Sequence, residues 1–155
     1  MSAVRILGIG SPHGDDRVGW AVLDALREVP MPAGTELHRI AAPAAELLPL
    51  LLDARRVIIV DAIASGAAPG RVVRCDPREL RRADGGVSGH GLSVDSALDL
   101  AAALGGLPEE VVLIGLSVDP ATSLPAGEMT RPVVQGLPLL VAEVAREAGA
   151  EAVPA

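Results

Sequence analysis

The sequence predicts a single three-layer α/β domain, a mostly parallel twisted sheet of about five or six strands with helices on both faces. Three observations predict it. Short β-branched runs alternate with segments of helical period. The clearest of these runs, Val57–Val60 (VIIV), is apolar throughout, as a strand covered on both faces is. The 155 residues suit one domain, and neither an internal repeat nor a linker divides them.

Taken in order, Val4–Ile9 (VRILGI) reads as a buried strand ending in a glycine turn, Gly8-Ile9-Gly10. From Asp16 to Val29, apolar residues recur at helical spacing: Val18, Val22, Leu23 and Leu26. Thr35–Ile40 fits a second strand, and Pro43–Ala54 is leucine-rich with helical period. VIIV supplies a central strand and Arg71–Cys75 a further one. The polar, glycine-rich stretch Asp76–Gly91 reads as a long mobile loop. Ser93–Leu104 is helical in pattern, Val111–Leu116 is another strand, and Pro132–Ala148 is a closing helix. Residues 1–148 are thus read as one domain and 149–155 as a flexible tail.

Composition excludes several functions. All thirteen basic residues are arginine, so a Walker A loop and a Schiff-base lysine are absent. The chain has no Phe or Tyr and one Trp, with a net charge of −7. It therefore lacks the basic field and the stacking platforms of nucleic-acid binders. An acidic protein is better matched to a cation or a basic peptide. No apolar run approaches the roughly 18 residues of a membrane span, and the N-terminus lacks the pattern of an export signal. The single cysteine, Cys75, forms no intramolecular disulfide and no CxxC knuckle, so a cytoplasmic protein is expected.

Ligands of open parallel sheets bind outside the carboxyl ends of the strands, where strand order reverses. Three sets of polar residues fall at such places. Asp15 and Asp16 follow the first strand, Asp61 follows VIIV, and His90 lies between two glycines ahead of the helix near Ser93. Each has a plain alternative. One of the acidic pair can cap the first helix; a second carboxylate there has no such use. Asp61 can be a turn residue, and His90 an ordinary exposed loop histidine. Together, two carboxylates and an imidazole form an oxygen/nitrogen set suited to Zn, Ni, Mn or Fe. Three protein ligands with open positions describe a catalytic metal site.

Rival readings find less support. Gly8 and Gly10 start a GxGxxG pattern, but its third position is His13, and the carboxylates that follow suit no pyrophosphate. Ser88 and Ser93 lie near His90 without a GxSxG elbow, and Cys75 reads as packing. A non-enzymatic metallochaperone or adaptor would use the same acidic and histidine residues. It differs in yielding no shortened product.

Four ordered blocks resemble the endopeptidases that mature nickel–iron hydrogenases. They are LGIGSPHGDDRVGWAV at 7–22, VIIVDAIASGAAPGRVVR at 57–74, SGHGLSVDSALDLAAALG at 88–105, and VVLIGLSVDPATSLPAGEMTRPVV at 111–134. The resemblance implies that Asp16, Asp61 and His90 are the metal-contacting and catalytic residues, with His13 and Asp15 as additional candidates. It implies that a C-terminal extension is removed from the precursor of the hydrogenase large subunit. The nickel is carried by that substrate, and no organic cofactor is implied. This chain departs from the family pattern in having Ser11 where Asn is common, a loop to Asp15 one residue shorter, and Arg17 in place of glycine.

Overall fold

The computed structural model describes residues 2–77, 89–122 and 127–150, with only the backbone described at 2, 3 and 89–93. Its strands are β1 (Ser2–Ile9), β2 (Thr35–Ile40), β3 (Ala54–Ile63), β4 (Val72–Cys75) and β5 (Glu110–Ser117). Between them lie a 3-10 turn (Gly14–Arg17) and helices α1 (Val18–Leu26), α2 (Pro43–Leu51), α3 (Gly89–Ala103) and α4 (Arg131–Glu147).

The sheet order is β2-β1-β3-β5-β4. All neighbours are parallel except β4, which runs antiparallel to β5. The chain steps outward from β1 to β2 and then returns to the other side of β1 for β3. The reversal therefore falls between the carboxyl ends of β1 and β3, the crevice where such sheets bind ligands.

Side-chain alternation divides the core between the two faces. Val4 and Ile6 of β1 join Ile58 and Val60 of β3 beneath α1 and α4, with Val22, Leu23, Leu140 and Val144 completing that layer. Leu7 and Ile9 join Val57, Ile59 and Ile63 on the other face, against Leu47 and Leu51 of α2 and Val94 and Leu98 of α3. Covering both faces explains why VIIV is uniformly apolar. Each such side chain, fully removed from water, contributes roughly 1.5–3 kcal/mol. Among the described residues no helix is long and apolar enough to cross a membrane.

Several boundaries differ from the sequence reading, each for a physical reason. β3 does not stop at Val60. Asp61, Ala62 and Ile63 pair with Gly115, Leu116 and Ser117 of β5, so Asp61 stands within the ladder rather than after it. The first helix begins at Val18, because the acidic pair is wound into the tighter 3-10 turn. The third helix begins at Gly89, which puts the backbone of His90 in its opening turn rather than in a loop. Residues 78–88 of the expected loop lie outside the described residues. After α4, Gly149 and Ala150 donate to the carbonyls of Arg146 and Ala145 and close the helix; 151–155 lie outside the described residues.

Candidate functional site

The site is built where α1 meets the ends of β1 and β3. Gly19 lets these backbones touch: a Cβ there would fall 2.1 Å from the Ile9 carbonyl oxygen and 2.7 Å from that of Val60. The end of β1 is tied to β2 as well, since the Gly10 N–H donates to the Ile40 carbonyl at 3.0 Å. Trp20 donates its indole N–H to the same carbonyl at 3.3 Å. The turn bearing Asp15 and Asp16 is thereby fixed beside the residue that precedes Asp61.

The two adjacent aspartates live in different surroundings. Asp15 is buried, 2% exposed. Its Oδ1 accepts the backbone N–H of Thr130 at 2.7 Å, and the Thr130 hydroxyl lies 3.1 and 2.9 Å from its two oxygens. Thr130 is the residue before α4 and makes no cap bond with its own side chain. Asp15 therefore caps a helix, but the last one and not the first. A carboxylate there also suits the positive end of the helix dipole. Asp16 is half-buried, and its carboxylate makes no hydrogen bond or ion pair among the described residues. Arg17, next to it, donates to the Pro12 carbonyl at 2.8 Å.

Asp61 is 4% exposed, and its Oδ1 accepts the N–H of Ala62 at 2.8 Å. By alternation with Val57, Ile59 and Ile63 it lies on the α2/α3 side of the sheet. α3 covers that side. Just beyond it, Gly106 abuts Leu52 near the start of β3, so α3 descends from the carboxyl rim. The backbone of His90, one turn before Val94, accordingly stands at the rim. Its side chain lies outside the described residues. His13 precedes the 3-10 turn and is exposed. Among the described residues no group of three His, Cys, Asp or Glu is arranged to hold a metal ion.

The segment after Asp61 is held by serines whose part the sequence did not reveal. Ser117, at the end of β5 and 0% exposed, donates to the Ala67 carbonyl at 2.8 Å and accepts the Ser65 hydroxyl at 2.8 Å. The resulting loop and residues 118–120 enclose a groove of about 550 Å³ lined by Ala64, Gly66, Pro69 and Asp119 among others. Thr130 carried a readable signal as a threonine two residues before a proline. Its partner 115 residues away did not.

Comparison with known proteins gives a consistent result. The model of the family HycI, hydrogenase maturation protease, matches residues 42–147. The chain is similar to the hydrogenase maturating endopeptidase HybD from Escherichia coli, at 25% identity over 98% of this chain and 97% of that one, with a TM-score of 0.78. It is similar to the hydrogenase 2 maturation peptidase of a Thaumarchaeota archaeon, at 27% identity over 97% and 100% of the two chains, with a TM-score of 0.68. An endopeptidase from Escherichia coli at 24% identity shares the fold over 98% and 97% of the chains, with a TM-score of 0.84. No curated protein sequence matches the chain.

Proposed function

We propose, since this chain belongs to the hydrogenase maturation protease family and is a peptidase of it, that its substrate is a nickel-loaded precursor of a hydrogenase large subunit. The reaction is hydrolysis of one peptide bond, which removes a C-terminal extension in the cytoplasm. The nickel arrives with the substrate and is what the enzyme reads before cutting. Asp16, Asp61 and His90 are the residues assigned to that reading.

The observation that carries the assignment is the division of labour in the acidic pair. Both oxygens of Asp15 are engaged by Thr130, whereas the half-buried Asp16 keeps a carboxylate with no bonds among the described residues. Asp16 is thus the member able to meet a cation brought by a partner. Asp61 comes from the adjacent strand, at the crevice where strand order reverses. Oxygen and imidazole donors together suit a nickel ion.

Hydrolysis needs a water molecule aimed at the scissile carbonyl and a group to take its proton. The water oxygen bonds to the carbonyl carbon, the C–N bond breaks, and the proton ends on the departing amine. A carboxylate of the trio can serve as that base. A cation bound beside it lowers the pKa of the water and polarises the carbonyl.

The test is the mass of a co-expressed, nickel-loaded large subunit with and without this chain. Shortening to one defined product is expected, and both Asp61→Asn and His90→Ala abolish it while the variants remain folded. Full cleavage by both variants refutes the site. A stable complex without any shortened product makes the chain an adaptor instead.

A further inference from the structure

Asp15 and Thr130 form a two-point grip. The backbone N–H and the side-chain hydroxyl of one residue meet the two oxygens of a single buried carboxylate. A single hydrogen bond would let the turn swivel; two on one carboxylate fix its rotation as well as its distance. The neighbouring backbone adds a third tie, since the Gly14 N–H donates to the Gly127 carbonyl at 3.0 Å.

The start of α4 also touches the segment that follows Asp61. Gly70 has φ +87, and a Cβ there would fall 2.1 Å from the Pro132 carbonyl oxygen. A Cβ on Gly136 would likewise fall 2.2 Å from the carbonyl oxygen of Gly70. The Gly70 N–H in turn donates to Ser117 at 2.8 Å. Residues 130–136 therefore support two separate segments, the turn carrying Asp16 and the loop leaving β3 after Asp61.

We propose that Thr130 is a positioning residue for the peptidase reaction. It touches no reacting atom. Through Asp15 it fixes the turn in which Asp16 is the next residue, and through the first turn of α4 it fixes that turn relative to Asp61. The inference rests on Asp16 acting in the reaction. Misplacing a reacting group by about 1 Å costs on the order of 100-fold in rate, so loss of one grip point should be visible in turnover.

The experiment compares Thr130→Val and Thr130→Ser with the unaltered chain, using nickel-loaded precursor and correcting rates for the folded fraction. Valine keeps the shape and the N–H but lacks the hydroxyl; serine keeps the N–H and the hydroxyl and lacks only the methyl group. The expected result for Thr130→Val is a drop of about 10- to 100-fold in kcat, with KM within about threefold and with Thr130→Ser restoring the rate to within about threefold. An unchanged kcat per folded molecule, or a loss confined to KM, overturns the proposal. If Thr130→Val cannot be purified, Asp15→Ala tests the same grip from the other side, because it removes both oxygens that Thr130 meets. Asp16→Asn is assayed in parallel. Full activity there removes the reading on which the inference stands, whereas an inactive Asp16→Asn beside a fully active Thr130→Val removes the positioning role alone.

Discussion

Gly19 of α1 and Val60 of β3 meet with no side chain between them; a Cβ on Gly19 would lie 2.7 Å from the Val60 carbonyl oxygen and closer still, 2.1 Å, to that of Ile9. Backbone atoms of a central strand cannot yield as a flexible side chain can. Gly19→Ala is therefore expected to destabilise the fold by about 3 kcal/mol, the upper part of the range for overpacking. Urea denaturation measures it. A loss below about 0.5 kcal/mol would show that α1 can move off the strands freely.

The acidic pair makes a second, opposed prediction. Asp15→Asn disturbs a buried, hydrogen-bonded carboxylate and should cost about 1–3 kcal/mol. Asp16→Asn changes a half-buried group without bonds among the described residues, and should stay within about 0.5 kcal/mol of the unaltered chain. Yet it is Asp16→Asn that should stop processing of the precursor. Equal stability losses in the two variants, measured by denaturant titration, would contradict the division.

Ser117 links two turns with one hydroxyl. Ser117→Ala leaves the Ala67 carbonyl without its donor and the Ser65 hydroxyl without its acceptor; both residues are exposed and can turn to water, so the cost is about 0.5–1.5 kcal/mol, that of an ordinary hydrogen bond. The effect should be local as well. Amide hydrogen exchange at 65–70 should accelerate by more than it does in β1, which lies two strands away. Uniform acceleration would mean that the loop is not held by this serine.

At the far end of the sheet, Arg74 of β4 lies 2.9 Å from Glu147 of α4, and Arg56 lies 3.0 Å from the same residue. The hydrogen bond from Arg74 holds the Glu147 carboxyl below its ordinary pKa. A carboxyl lowered on folding stabilises the fold above its unfolded pKa, about 4.3, and loses that contribution as pH falls through the lower folded value. Melting temperature should therefore drop between about pH 5 and pH 3 more steeply in the unaltered chain than in Glu147→Gln. Parallel curves would show that the pair adds nothing.

Much of this architecture could be read in the residues. VIIV and LGI are buried on both sides and had to be strands of a covered sheet. That put Asp16 after the first strand and Asp61 near the carboxyl end of the central one without any knowledge of strand order. The extension of β3 through Ile63 was not readable, because it depends on pairing with Gly115–Ser117, a partner with no mark in the local sequence. The direction of β4 was equally hidden, since VVRC suits either orientation. The start of α3 was masked by Gly89 and Gly91. Glycine disfavours a helix by about 1 kcal/mol relative to alanine, and the structure overrides that preference. The grip of Asp15 on Thr130 joins opposite ends of the chain, and periodicity carries no such information.

The reversed strand β4 has a consequence for how the molecule behaves in company. β5 is apolar on both sides, with Leu113, Ile114 and Leu116 at 2% exposure or less. Were it the outermost strand, its open row of amides and carbonyls would invite other chains to add themselves. Four residues of β4, with Arg74 paired to two glutamates of α4, close that row with a short and charged margin. A proline at Val73 would reopen it, and the first symptom would be aggregation on storage rather than a loss of cleavage.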